Sequence, residues 1–289
     1  MNLIEVFKDR DELGHITSFI DENALFAFSQ SCMTARKSVI CLKKPLKTSY
    51  KSVISSHSLI VWALSMGASI KYLSDVAAKE VACVGVLQEL KKNGGCLKNL
   101  TANSAMVGDL SVLQWAFENN YCVNKSTFEY AAVGGNVNMI NWLYTLGCPW
   151  DKEVCSRASQ FGNMDALKWL HENGCPWDAD TFSFAALRGD IEMLEWLREN
   201  DCPWSTATFT MATRNGDIPT LQWLRDNGCP WNADSCSFAA GDGNLYILKW
   251  LRENGCPWDS DTCDIAELCG CTDVVKWAQE NGCPWDNDM

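Results

Sequence analysis

Cysteine beside tryptophan is a pairing that can carry metal, redox or aromatic-binding chemistry, and this chain repeats it six times. The phrase runs "LGCPW" at 146–150, then "NGCPW" or once "NDCPW", and closes at Trp285. Its cysteines are Cys148, Cys175, Cys202, Cys229, Cys256 and Cys283; its tryptophans are Trp150, Trp177, Trp204, Trp231, Trp258 and Trp285. A second ladder, Trp62, Trp115, Trp142, Trp169, Trp196, Trp223, Trp250 and Trp277, completes the fourteen tryptophans. A sugar or cofactor strip needs a local cluster of rings. Two ladders running through every copy are instead what core stacking predicts.

The cysteine ladder fails a geometric requirement. Equivalent residues on neighbouring packed helices stand about 8–10 Å apart, whereas a disulfide needs Cα atoms within about 7 Å. Four zinc ligands need a tighter cluster still, with Cys-x₂₋₄-Cys spacing. Cys269 and Cys271, with Cys263 six residues earlier, are the nearest approach to such spacing. They read as small residues of a C-terminal unit. The histidines, His15, His57 and His171, lie far apart in the sequence. No glycine-rich phosphate loop, nucleophile motif or carboxylate pair escapes the repeat register. The expectation is a non-enzyme with no catalytic residue, no cofactor and no metal.

Composition narrows the classes further. The chain of 289 residues is 47% hydrophobic, enough for a large ordered core. Its net charge of −12 argues against nucleic acid, whose phosphates demand Lys and Arg. The one basic stretch, "RKSVICLKKPLKTSYK" at 36–51, reads as a solvated linker. No run of eighteen apolar residues predicts a membrane span. The N-terminus lacks the basic and apolar regions of a secretory signal, so sixteen cysteines imply free thiols in a reducing compartment. An intracellular, cytoplasmic location is expected, the host cytoplasm for a viral source.

The elements that must position these residues follow from the period. Aligned on tryptophan, units of 27 residues start at 123, 150, 177, 204, 231 and 258, and degenerate copies extend upstream to about residue 45. Such a period predicts a solenoid in which each unit contacts mainly its neighbours. In 177–203, Asp180 or Thr181 can cap a first helix through Phe182–Leu187. Gly189 turns the chain and Asp190 caps a second helix through 191–200. Glycine then stops that helix in most copies, with proline two residues later; Asp201 replaces the glycine here. Ala185 and Ala186 permit close helix approach.

The skeleton "TFSFAALRGDIEMLEWLREN" at 181–200, echoed at 127–147 and 208–228, resembles the ankyrin repeat. The resemblance implies an all-α architecture: an α-solenoid of stacked helix-turn-helix units, a monomer, binding a protein partner. Two departures stand out. The unit is short, which should shorten the finger between repeats, and "TPLH" gives way to Phe182, Phe209, Cys236 and Cys263. The short "GCPW" form is similar to divergent ankyrin arrays of large DNA viruses of protists and of some protists.

Residues fixed by the repeat are scaffold, and those that change are free to specialise. After the double alanine, two positions vary: Met106 and Val107, Val133 and Gly134, Gln160 and Phe161, Leu187 and Arg188, Arg214 and Asn215, Gly241 and Asp242, Leu268 and Cys269. By resemblance these lie near the concave groove that contacts partners, joined by the finger at Asp178, Ala179 and Asp180. Phe161, Leu187 and Arg188 are the expected anchors.

Residues 1–45 break the register and are expected to form a short helical segment preceding an array over 46–289. Leu13, Ile16, Phe19, Leu25 and Phe28 give them an apolar pattern. "DEL", "SFID" and "ALFAFSQSC" followed by Arg36 resemble a degenerate F-box, lacking the initial Leu-Pro and the late tryptophan. That resemblance implies docking on the adaptor of a cullin-type ubiquitin ligase. The alternative is a cap over the apolar end of the array.

Overall fold

A computed structural model describes residues 53–55, 57–65 and 67–285. The apolar pattern of Leu13, Ile16, Phe19, Leu25 and Phe28 and the basic stretch at 36–51 lie outside the described residues. Contacts divide the chain into two units, Met1–Lys98 and Asn99–Met289. Among the described residues there are 17 helices and no strand.

The first unit holds α1 (His57–Ser65), α2 (Ile70–Lys79) and α3 (Val84–Lys92). Ile60, Leu73, Ala77, Val86, Leu87 and Leu90 are fully buried in it. Ser69 caps α2 by accepting from the Tyr72 amide, and His57 stands 3.5 Å from Glu89.

The second unit stacks helix pairs: α4 (Leu100–Val107) with α5 (Leu110–Glu118), α6 (Lys125–Gly134) with α7 (Val137–Thr145), and α8 (Lys152–Gln160) with α9 (Met164–Glu172). They continue as α10 (Ala179–Arg188) with α11 (Ile191–Glu199), α12 (Thr206–Asn215) with α13 (Ile218–Asp226), α14 (Ala233–Gly241) with α15 (Leu245–Glu253), and α16 (Ser260–Leu268) with α17 (Thr272–Glu280). The predicted two-helix unit is therefore present in every copy of the second unit. Its first helix starts earlier than expected. Asp178, and not Asp180 or Thr181, is the cap of α10, accepting from the Asp180 amide at 3.1 Å. Asp178, Asn124, Asp151, Ser205, Asn232 and Asp259 all take this place, so Ala179 and Asp180 belong to the helix and not to a finger, and among the described residues no strand lies between the repeats. Asp190 caps α11 through the Met193 amide at 3.1 Å, as its position predicted.

First helices pack more closely on one another than second helices do. Small residues allow it: Ala131, Ala132, Ala158, Ala185, Ala186, Ala212, Ala239 and Ala240 are all buried. At Gly134 the approach is so close that a Cβ there would run into the Met106 carbonyl oxygen. Between these helices runs a buried hydroxyl ladder. Ser156 meets Thr181 at 3.2 Å, Ser183 meets Thr208 at 3.0 Å, Thr210 meets Ser235 at 3.4 Å and Ser237 meets Thr262 at 3.3 Å. Each pair gives its buried hydroxyls a partner across the seam, and Ser183, Thr210 and Ser237 also bond a carbonyl one turn back in their own helix. Second helices are held apart by bulk: their tryptophans from Trp142 to Trp277, half-buried, sit against a continuous core that includes Met139, Leu167, Leu194, Leu221 and Leu248.

The first three residues of "NGCPW" each have a defined place. The Asn200 amide donates to the Trp196 carbonyl at 2.8 Å, and Asn173, Asn227, Asn254 and Asn281 do the same one turn back. The next residue takes a left-handed backbone; it is glycine in four of these five copies and Asp201, at φ 57°, in the other. The cysteine thiol then donates to the carbonyl of the residue capping the first helix of its own unit. Cys175 reaches Asp151 at 3.4 Å, Cys202 reaches Asp178 at 3.7 Å and Cys283 reaches Asp259 at 3.3 Å. The seam that this cysteine closes is thus inside a repeat and not between two.

Candidate protein-binding face

In an α-helix, positions three and four apart share a face. The fully buried side of α10 is Thr181, Phe182, Ala185 and Ala186. The opposite side carries Asp180, Phe184, Leu187 and Arg188, of which Asp180 and Arg188 are exposed and Phe184 and Leu187 half-buried. Neighbouring first helices repeat the division, so their outward sides line up as parallel rows across the second unit.

The variable row read from the sequence falls on this face. Met106, Val107, Phe161, Arg188, Arg214, Asn215 and Asp242 are exposed, while Val133, Gln160 and Leu187 are half-buried. None of the ten is core. They do not act alike, however. Arg188 donates to the Gln160 carbonyl at 3.3 Å and lies over Gly162, so it latches α10 to the end of α8. Asn215 is similarly placed over Gly189. These two side chains serve the join between repeats as well as the surface. Phe161, Val107 and Leu268, at 49%, 62% and 84% exposure, have no such tie shown.

A second row of the face was missed by considering only the residues after the double alanine. One position before that alanine pair stand Tyr130, Arg157, Phe184, Met211, Phe238 and Ile265. They differ from copy to copy as much as the first row does, and they are exposed or half-buried. The signal was present in the sequence, since the same comparison of copies one turn earlier finds it. A third row, one further turn towards the N-terminus, reads Ser126, Glu153, Asp180, Ala207, Asp234 and Asp261. The face therefore has an apolar middle, an acidic flank at the helix starts and a mixed flank containing Arg188 and Arg214.

The sulfur and aromatic groups do other work. Burial pushes the Cys229 thiol up to about 12, and burial followed by the nearby Asp178 charge does the same to Cys202. Hydrogen bonding to Cys175, then burial, pushes Cys155 up, and Cys236 is paired in the same way with Cys256. Protonated, buried thiols are poor nucleophiles and poor ligands. The repeat period relates cysteines 27 residues apart, whereas these partners are 20 apart and so lie outside the period. Among the described residues no group of three His, Cys, Asp or Glu could hold a metal ion.

The two tryptophan ladders merge into one band on the second-helix side. Trp150 meets Trp169 edge-on at 6.2 Å, Trp177 meets Trp196 at 5.7 Å and Trp258 meets Trp277 at 5.9 Å. His171 stacks on Trp177 at 4.0 Å, and in later copies Arg198 and Arg252 cover Trp204 and Trp258 at 4.5 and 4.1 Å. Trp115 is buried, and the tryptophans from Trp142 to Trp285 are half-buried and not fully internal. The band packs against the core on one side and is shielded by these cations and rings on the other.

Residues 155–198 match the family described as ankyrin repeats (many copies). No curated protein matches the chain. Among solved structures, the human ASB11 ankyrin repeat domain is similar over 54% of this chain and 84% of its own, with 18% identity and a TM-score of 0.44. The maize pentatricopeptide repeat protein PPR10 is similar over 98% of this chain and 50% of its own, with 12% identity and a TM-score of 0.38. Its complex with an 18-nt psaJ RNA element gives 96% and 49%, at 12% identity and a TM-score of 0.32. The chain spans about half the length of PPR10.

Proposed function

We propose that this chain, an ankyrin-repeat protein, is a non-catalytic scaffold whose first-helix face binds a protein partner. Ankyrin repeats generally mediate protein–protein interaction, and one observation carries the reading to this face. Copy-to-copy variation concentrates on its outward rows, while the buried sides of the same helices keep small, apolar or hydroxylated residues. A face that only had to be soluble would drift towards uniformly polar residues; this one retains Tyr130, Phe161, Phe238 and Leu268 in exposed positions. Large apolar and aromatic groups of this kind supply most of the energy in interfaces.

The test is affinity purification with the full chain and two variants. Phe238→Glu with Leu268→Glu should lose a partner recovered by the wild type. Tyr246→Glu, at 70% exposure near the start of the second helix α15, should keep it. If both variants retain every partner, the face is not the binding site.

A second reading rests on residues 1–45, whose F-box-like pattern would make the array a substrate receptor for a cullin-type ubiquitin ligase. Leu25→Asp should then abolish co-purification of ligase subunits. Recovery of no such subunit by the full chain removes this reading and leaves the first intact. The free, mostly buried thiols of the second unit fit a reducing, cytoplasmic setting.

A further inference from the structure

Resting on the reading that the first-helix face takes a protein, we infer that its occupant is an amphipathic helix of about 20 residues, apolar at heptad spacing and basic along one flank. The pitch of the array matches a helix. Neighbouring packed helices are about 8–10 Å apart, and seven residues of α-helix rise about 10.5 Å. A partner helix laid across the repeats therefore brings a side chain of the same face to each successive unit. Phe184, Met211, Phe238 and Ile265 are apolar in four consecutive copies. Three such intervals correspond to about 21 residues of helix.

The width of the face matches one as well. From the acidic row to the variable row is about two turns of first helix, or roughly 11 Å, which matches the 10–12 Å diameter of a helix with its side chains. An extended strand would cover one row and leave the other bare. The charge of the face selects a basic flank. Asp180, Asp234 and Asp261 are exposed in a line beside the apolar row, in a chain of net charge −12. Carboxylates in a first helical turn are stabilised by the helix dipole, and here they also present negative charge towards whatever lies on this face. Lys or Arg along one edge of the incoming helix complements them. Because Asp180, Asp234 and Asp261 lie on one flank and Arg188 and Arg214 on the other, the charge pattern also fixes the direction in which the helix lies.

The probe is a synthetic 21-residue peptide with leucines at successive heptad positions and their four-residue neighbours, and lysines along one flank. Binding to the full chain is followed by fluorescence anisotropy against three controls. One replaces the lysines by glutamate, one moves the leucines off the common face, and one carries a central proline. The matched peptide should bind at least about 10-fold more tightly than each control, the margin that a few well-placed contacts supply. Its affinity should weaken as salt rises from 0.05 to 0.5 M, as the screening of an exposed charge row requires. The Phe238→Glu/Leu268→Glu variant, with unchanged thermal unfolding, should lose that preference.

Equal binding of all four peptides, or binding that the double variant does not alter, overturns the inference. A parallel selection from a random 21-residue display library separates its failure from that of the underlying reading. Binders that need Phe238 and Leu268 but lack the heptad pattern overturn the helical occupant and leave the face as a binding site. A library yielding no binder that depends on those residues removes both. Self-association of the full chain that the double variant abolishes assigns the face to a second copy and also overturns the helical partner.

Discussion

The thiol of Cys202 donates to the carbonyl oxygen of Asp178 at 3.7 Å, joining the end of one repeat to the residue that caps its first helix. The same bond recurs in Cys148, Cys175, Cys229, Cys256 and Cys283, always 24 residues back. A buried thiol in this setting acts as a weak donor and a small hydrophobe. Its chemistry is suppressed by the same burial that makes it structural.

Suppression has a pH signature. Cys202, Cys229 and Cys283 are all pushed up to about 12, with burial the leading cause, whereas an unfolded cysteine titrates near 8.5. Below that value both states hold the proton and the thiols add no pH dependence. Between about 8.5 and 12 the unfolded chain releases protons that the folded chain retains, so stability falls as pH rises, by up to about 1.4 kcal/mol per pH unit per thiol. Urea midpoints at pH 7, 9, 10 and 11 should decline, and Cys229→Val should decline less steeply. Equal slopes in the two proteins would exclude the thiol as the cause.

Thiol-labelling at pH 8 gives an independent reading. The exposed cysteines Cys83, Cys96, Cys122 and Cys269 should react within minutes with an aromatic disulfide reagent. Cys155, Cys175, Cys202, Cys229, Cys236 and Cys256 are buried and should react only at the rate of unfolding. Mass spectrometry of the labelled peptides distinguishes the two sets, and fast labelling of Cys236 would contradict its placement.

The hydroxyl ladder should behave as coupled pairs. Ser183 bonds both Thr208, at 3.0 Å, and the Ala179 carbonyl, at 2.7 Å. Ser183→Ala leaves the Thr208 hydroxyl buried with one partner fewer and should cost about 1–2 kcal/mol. Combining it with Thr208→Val removes both groups, so the double loss should be smaller than the sum by about 0.5–1 kcal/mol. Chemical denaturation of the three variants measures the coupling; strict additivity would show that the pair does not interact.

Tryptophan positions divide by depth. Leu197 is fully buried, and Leu197→Ala should cost about 2–5 kcal/mol. Trp196 is half-buried, touching Trp177 and His171 edge-on at 5.7 Å each. Trp196→Ala should cost about 2 kcal/mol, below the 3–5 kcal/mol of a fully internal tryptophan. Equal losses at the two positions would mean that the tryptophan band is core after all.

These positions show how far the sequence could be read. The two-helix unit, the Asp190 cap and the left-handed residue after Asn200 are written in local chemistry, because caps and helix stops depend on a few adjacent residues. The outward position of Phe161 and Arg188 follows from variation among copies. What a 27-residue comparison could not supply is register between unlike positions. Ser183 meets Thr208 at a separation of 25, and Cys155 meets Cys175 at 20. Those separations depend on how one helix leans on the next, which is a property of packing and not of the period. The start of α10 was misplaced for a related reason: Asp178 and Asp180 both suit a cap, and only the backbone at Asp178, extended at φ −146°, decides between them.

Two backbone substitutions test the stacking geometry with opposite signs. Asp201 holds φ 57° where the neighbouring copies have glycine. A left-handed residue with a side chain costs up to about 1–2 kcal/mol, less for Asp than for most. Asp201→Gly should therefore stabilise the protein by about 0.5–1 kcal/mol, net of the added freedom of the unfolded chain. Gly134 is the converse. Its α-hydrogen faces the Met106 carbonyl oxygen across the seam between α4 and α6, and a Cβ would overlap backbone atoms that cannot turn aside. Although alanine is the better helix former by about 1 kcal/mol, Gly134→Ala should destabilise, by about 1–3 kcal/mol as in other overpacked sites. Differential scanning calorimetry of the two variants against the wild type reads both signs. A stabilising Gly134→Ala would show that the two helices are farther apart than the structure has them.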